Sequence, residues 1–385
     1  MDKILKVIES ETSGKCYKSF KFCFDSLSIP TLDYEDSHRI TVKHIGETDT
    51  SLKTFKSVER KAKDIKDSRP LFTYFLDGSR KTYKIDDIEY GKKIFPIIGG
   101  QLGVACCQRV DRNTFKKLDF NNSLVLVLPA YANADGDRSD LFFNNITEKL
   151  NKLPSLQKFG LHFSKILTYN SGEALKENES FENRGIAKIQ DEMIEGEKRI
   201  VSNLVKENLL NAENYLIKDG SLQYKKMKSG DFRELSKIKN NYRCVVGVSK
   251  KFNPELSQDI QGKSNATQIA KLPLYHRTPA FMYQSEIVED VKFSVWYLRV
   301  RDRKYTDSPF AGILKIEKML VSDNEIEEGL QSDEIDVISA NILNERNPTC
   351  YGNDARWANH LYPVYLTEKY IKSKYISDVH FLNLF

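Results

Sequence analysis

Two tripeptides, Asp77-Gly78-Ser79 and Asp219-Gly220-Ser221, follow the same local grammar. Each comes after a run rich in strand formers, LFTYFL at 71–76 and NYLIK at 214–218. A carboxylate at the end of a strand sits on a rigid element beside an open turn. That is a suitable place for a hard divalent ion, because Mg²⁺ and Mn²⁺ favour oxygen ligands and take few carboxylates. Two such carboxylates on neighbouring strands could bind one or two ions. Paired metals about 4 Å apart stabilise both the attacking and the leaving oxygen of phosphodiester cleavage. Asp-Gly is also a common turn dipeptide, so a metal site and a pair of plain turns are both open readings.

Further groups could complete such a site. Segment 181–211 carries Ile186, Ile189, Met193, Ile200, Leu204 and Val205 at helical spacing, with Glu192, Glu195 and Glu197 among them. Glu192 lies one turn from Ile189 on the flank of the apolar face. A carboxylate there reaches a sheet edge if the helix packs on the sheet; the alternative is a solvated helix face. Lys250 follows VVGVS at a strand end, where an ammonium can meet a phosphate as a point charge, or simply face solvent. The six histidines show no HxH or HExxH spacing. Neither a GxSxG elbow nor a Walker-type GxxxxGK[ST] is present, which disfavours a serine hydrolase and a self-contained P-loop ATPase.

Several elements would position these groups. Strands are expected at LFTYFL, at KKIFPIIGGQLGVACCQRV with a hairpin or bulge at Gly99-Gly100, and at NNSLVLVLPAY. YRCVVGVSKKF gives another strand. KFSVWYLRVRD and FAGILKIEKML give an antiparallel pair joined through Asp307-Ser308-Pro309, with Trp296 and Tyr297 in the core or an interface. Helices are expected over the first dozen residues, over TFKSVERKAKDIKDSRP until Pro70, over about 325–343, and after Pro363. Residues 131–170 are irregular in pattern, with Asp135, Asp137 and Asp140 near the start. Residues 1–69 form an N-terminal extension of mixed structure, and 70–385 the main domain. The fold class is α/β: an RNase H-like mixed sheet flanked by helices.

Composition is compatible with this. The 385 residues are 40% hydrophobic and 29% charged, with 19 Tyr and 21 Phe, which argues for a globular chain rather than a disordered one. The N-terminus lacks a signal-peptide pattern, and no stretch reaches the roughly 18 apolar residues of a membrane span. The six cysteines form no CxxC pair, so reduced thiols in a reducing compartment are expected. A formal charge of +5 permits nucleic-acid binding without demonstrating it.

The order FLDGS, a long acidic helix, LIKDGSL, VVGVSKKF and LYPVYL resembles the NurA nucleases over about residues 70–385. The resemblance implies an RNase H-like core and a Mn²⁺- or Mg²⁺-dependent deoxyribonuclease active in DNA-end processing or against foreign DNA. It also implies a cytoplasmic prokaryotic setting, a homodimer, and a HerA-like hexameric ATPase as partner. Asp77 and Asp219 match the metal-binding aspartates. Glu192 matches the helix glutamate, with Glu195 as the alternative register, and Lys250 matches the lysine of GVSK. Asp77, Glu192 and Asp219 would then hold the ions that activate water, and Lys250 would neutralise or orient the scissile phosphate. In such proteins a His or Asp follows the Tyr-Pro segment by some seven residues. Here Tyr362-Pro363 is followed by Tyr370, leaving Glu368 or His360 as substitutes. That departure motivates a competing reading, an inactive RNase H-like module that binds DNA or a motor. A polynucleotide transferase or RNA-directed nuclease on the same fold is a third.

Overall fold

The computed structural model describes residues 3–26, 40–52, 54–133, 139–177, 179–223, 232–258, 261–284, 291–306, 308–346 and 357–385. Asp135, Asp137, Asp307 and Cys350 lie outside them. The centre is a mixed sheet. Strands β1 (Phe72–Tyr90), β2 (Lys93–Arg109) and β3 (Phe115–Pro129) form an antiparallel meander, and β4 (Phe163–Tyr169) runs parallel to β3 at one edge. On the other side of β1 come β5 (Tyr215–Asp219) and β6 (Val245–Ser249), parallel to β1 and to each other. The order β3-β2-β1-β5-β6, with an antiparallel meander and two parallel additions, is the arrangement of an RNase H-like core. The sheet continues through an antiparallel extension. Strands β7 (Phe281–Gln284), β8 (Lys292–Arg299) and β9 (Ile313–Met319) pair so that β9 borders β6 and β8 lies between β7 and β9.

Helices cover both faces. Helix α1 (Phe181–Lys206) starts at Ser180, whose hydroxyl accepts from the Asn183 amide, and buries Ile189, Met193, Ile200, Val201 and Leu204. Side chains alternate across a strand, so neighbouring residues of β2 meet different helices. A Cβ on Gly100 would fall 2.8 Å from Ile189 of α1, whereas one on Gly103 would fall 2.2 Å from Ile371. The second helix belongs to α3 (Tyr362–Lys372), on the opposite face, and α2 (Ser332–Glu345) packs on that face too, over Phe75, Trp296 and Ile316. Trp296 is fully buried and its indole nitrogen donates to Ser339 Oγ at 3.0 Å.

Several expectations are corrected. Asp77-Gly78-Ser79 is no turn: β1 runs on through it for eleven residues more, because Asp77, Gly78 and Ser79 pair with Ala105, Val104 and Gly103 of β2. Gly99-Gly100 lies inside β2, and the hairpin is at Gly91, whose φ is +64°. The two glycines instead let helices approach both faces. The helix before Pro70 shrinks to Glu59–Asp64, preceded by a short strand at Lys56–Ser57. Residues 139–169 hold helices Ser139–Asn151 and Pro154–Gln157 before β4. The helix expected at 325–343 is split by Gly329, at φ +86°, into Asp323–Glu328 and α2. Strands from residues 1–69 join the same sheet: Lys15–Tyr17 and Phe22–Cys23 pair with the far half of β1, and Ile40–Ile45 pairs with β7. Among the described residues no helix is long and apolar enough to cross a membrane, and the five described cysteines are free thiols.

Candidate metal centre

A change in sheet width creates the site. The registry of β5 on β1 ends with Leu76 opposite Lys218. On that side the next strand partner of β1 is Phe22–Cys23, opposite Lys84 and Tyr83. Between them, from Asp77 to Thr82, β1 has no neighbouring strand on this side among the described residues. Asp25 caps the far end of this notch, accepting from the Thr82 amide at 2.6 Å. A cleft of about 430 Å³ opens here, lined by Asp77, Ser79, Arg80, Asp219, Glu368 and Lys372 among others.

Asp77, Asp219 and Glu368 each present one carboxylate oxygen to this cleft, all within 4.8 Å of one another. Asp77 comes from the middle of β1 and Asp219 from the last position of β5. Glu368 comes from α3, where Val364, Thr367, Glu368 and Ile371 form the buried face. Lys250, directly after β6, donates from Nζ to Asp219 Oδ2 at 2.8 Å and lies 3.6 Å from Glu368 Oε2. Glu368 Oε1 also receives Lys372 Nζ at 2.6 Å. Asp77 Oδ2 is buried and has no hydrogen-bond partner among the described residues. Burial, and then the nearby Asp219 carboxylate, push the Asp77 acid well above the usual carboxylate range. For Lys250, burial works against the charged form. The surrounding Asp219, Asp77 and Glu368 carboxylates outweigh it and raise the ammonium's pKa. A buried carboxylate oxygen left without a donor, beside two further carboxylates, fits a hard divalent cation by chemistry and spacing.

The two Asp-Gly-Ser copies use glycine for different reasons. Gly220 adopts φ +85°, which turns the chain as β5 ends, and its amide donates to Val248 O at 2.9 Å. The turn is then held by buried Glu317, whose Oε2 accepts from Ser221 Oγ at 2.8 Å and from the Leu222 amide at 2.9 Å. Gly78 stays extended and is needed for space. A Cβ there would fall 2.7 Å from Glu197 Oε1 and 3.0 Å from Met193 Cγ.

That contact identifies the helix glutamate at the notch as Glu197. The structure does not bring Glu192 to the cluster. Glu192 pairs with Lys165 of β4 at 2.8 Å and with Arg199 at 3.2 Å, and Glu195 pairs with Lys198 at 2.7 Å. The reason is helical phase. Glu197 lies four residues after Met193 and eight after Ile189, inside the apolar stripe, whereas Glu192 sits on its flank. Glu197 Oε2 lies 3.2 Å from Lys218 Nζ, and burial pushes its carboxyl upward in pKa. A glutamate at a core position of an amphipathic helix was the signal available in the sequence. The same phase argument separates Glu368 from Tyr370, which turns away to pack edge-on against Phe120 at 5.1 Å between ring centres. His360 is buried beside Tyr365 and outside the carboxylate cluster.

A contrast between the two glutamates checks this assignment. Glu192→Gln is expected to leave Mn²⁺ affinity within about twofold, as for other substitutions away from a site. Glu197→Gln removes the counter-charge of Lys218 beside the cluster and is expected to weaken Mn²⁺ binding by about 10–100-fold. Titration calorimetry on both variants decides it, and equal affinities would leave Glu197 as a buried partner of Lys218 with no part in metal binding.

No known family profile matches the chain, and no curated protein sequence does. In three dimensions the chain is similar to the crystal structure of the NurA nuclease from Sulfolobus solfataricus. The likeness has a TM-score of 0.39 at 9% sequence identity and covers 81% of this chain and 86% of that one.

Proposed function

We propose that this chain is a Mn²⁺- or Mg²⁺-dependent deoxyribonuclease. The observation that carries the reading is the convergence of Asp77, Asp219 and Glu368, with the unpartnered Asp77 oxygen, in an open cleft. These three residues would hold the ion. A bound divalent cation supplies charge for the phosphate oxygens and electrophilic activation for phosphodiester hydrolysis. Lys250 reaches both Asp219 and Glu368, offsets their mutual repulsion, and would supply a fixed positive charge beside the scissile phosphate. Arg80 and Lys372, on the lining of the same cleft, are placed to take flanking phosphates of a strand. The Glu197–Lys218 pair closes the cleft from the α1 side.

DNA as the substrate, a dimer, and a HerA-like hexameric ATPase that feeds the strand belong to the same proposal. They rest on the motif order FLDGS, LIKDGSL and GVSK. An inactive binding module was suggested by Tyr370 alone; with Glu368 in the cluster, no observation favours it.

The test is a substrate panel of single-stranded DNA, double-stranded DNA, RNA and hybrid, with Mn²⁺ or Mg²⁺, and with EDTA. DNA cleavage that EDTA abolishes and that Asp219→Ala lacks is the expected result. Cleavage that survives EDTA, or wild-type rates in Asp219→Ala, would show that this site is not the active centre. Loss of RNA alone would move the substrate class.

A further inference from the structure

We infer that the centre takes a single divalent ion, because the Lys250 ammonium permanently occupies the second cation position. This rests on the metal-site reading above and decides between the one-ion and two-ion forms that reading leaves open.

Three observations carry it. The ammonium bridges two of the three carboxylates, at 2.8 Å from Asp219 and 3.6 Å from Glu368, so one oxygen of Asp219 is already engaged. The lysine side chain is only 2% exposed, and its backbone is pinned. Buried Asn359 donates from Nδ2 to Lys250 O at 2.8 Å and to Ile313 O at 2.6 Å, and accepts from the Gly312 amide at 2.7 Å. These bonds fix the backbone from which the Lys250 side chain reaches the carboxylates, and the ammonium itself is held by Asp219. Asp77 Oδ2 has no hydrogen-bond partner among the described residues, and Lys250 bonds to Asp219 rather than to it.

Charge gives the same count. Three carboxylates are balanced by one ammonium plus one divalent ion. Glu197 and Lys218 neutralise each other beside them, and Lys372 is half exposed and screened by solvent. A second divalent ion would leave two uncompensated positive charges beside the buried Lys250 ammonium. Uncompensated charge beside a buried ammonium is unfavourable. Lysine is suited to the position because its ammonium is a compact point charge of cation size.

The test counts bound Mn²⁺ by equilibrium dialysis with electron paramagnetic resonance of the free ion, using full-length protein. Background from surface carboxylates is taken from an Asp77→Asn/Asp219→Asn variant. The wild type is expected to bind one Mn²⁺ above background, Lys250→Met two, and Lys250→Arg one. Circular dichroism checks that each variant is folded, and the wild-type count stands without them. Two ions in the wild type, or one in folded Lys250→Met, would overturn the inference and leave the nuclease reading intact. No ion above background in the wild type would overturn both.

Discussion

Asp77→Asn is expected to make the metal-free protein more stable while abolishing its activity. Wild-type folding buries a carboxylate whose Oδ2 has no donor, next to Asp219. Asparagine keeps the shape and removes the charge, so the cost of burying it disappears. The effect depends on pH with a definite sign. The folded pKa of Asp77 is raised, so the folded state holds a proton that the unfolded chain releases. Below about pH 4 both states are protonated and Asp77 contributes nothing. Above that, stability falls with pH, by about 1.4 kcal/mol for each unit until the folded group ionises too. Thermal melts in EDTA at pH 5 and pH 8 should show the wild type losing stability between them and Asp77→Asn losing less. Activity moves the other way. A divalent ion contributes several kcal/mol to phosphodiester hydrolysis, and each 1.4 kcal/mol is tenfold. Loss of one of its carboxylates should therefore slow single-turnover cleavage by at least about a hundredfold. If Asp77→Asn melts below the wild type at pH 8 in EDTA, Asp77 is a stabilising structural carboxylate and its place in a metal centre is lost.

The largest stability loss is expected from Arg277→Met, far from the cleft. Arg277 and Glu47 are both fully buried and form a two-pronged pair at 3.0 and 2.9 Å. Arg277 Nε also donates to Asp336 of α2 at 2.6 Å, and the Ala280 amide donates to Glu47 at 2.7 Å. This network ties the N-terminal region to α2 and to the segment before β7. Methionine fills much of the space but leaves two buried carboxylates, with Lys56 on Asp336 at 2.7 Å as the one remaining ion pair among the described residues. Breaking a buried pair from one side costs about 3–5 kcal/mol. That is a large share of the roughly 5–15 kcal/mol that stabilises a typical protein. Glu47→Gln should cost less, since its amide oxygen still accepts from Ala280. Urea unfolding midpoints rank the two. An Arg277→Met midpoint at or above that of Glu47→Gln would mean that the network is not under electrostatic tension.

Much of the architecture was legible in the sequence because it is written in local periodicity. Alternating and apolar runs mark the strands, the 3.6-residue period marks α1, and strand grammar marks Asp219 as a terminal residue. No stretch reaches the length of an apolar membrane span, and the missing motifs disfavour a P-loop ATPase and a serine hydrolase.

What the chain could not disclose locally is which side of each element meets which neighbour. Asp77-Gly78-Ser79 and Asp219-Gly220-Ser221 are identical tripeptides. One stays extended because β2 continues beside it, and the other turns because β6 receives the Gly220 amide. Glu192 and Glu197 differ by five residues on one helix; helical phase already puts Glu197 in the apolar stripe, and the way α1 lies across Gly78 brings it to the notch. Glu368 joins the cluster rather than Tyr370 because the buried face of α3 fixes its rotation. The sequence by itself determined that two aspartates, a lysine and a set of glutamates lay on or beside strands and helices. Tertiary packing alone decided that Asp77, Asp219, Glu368 and Lys250 share one notch, because that notch exists only where β5 stops and β1 runs on.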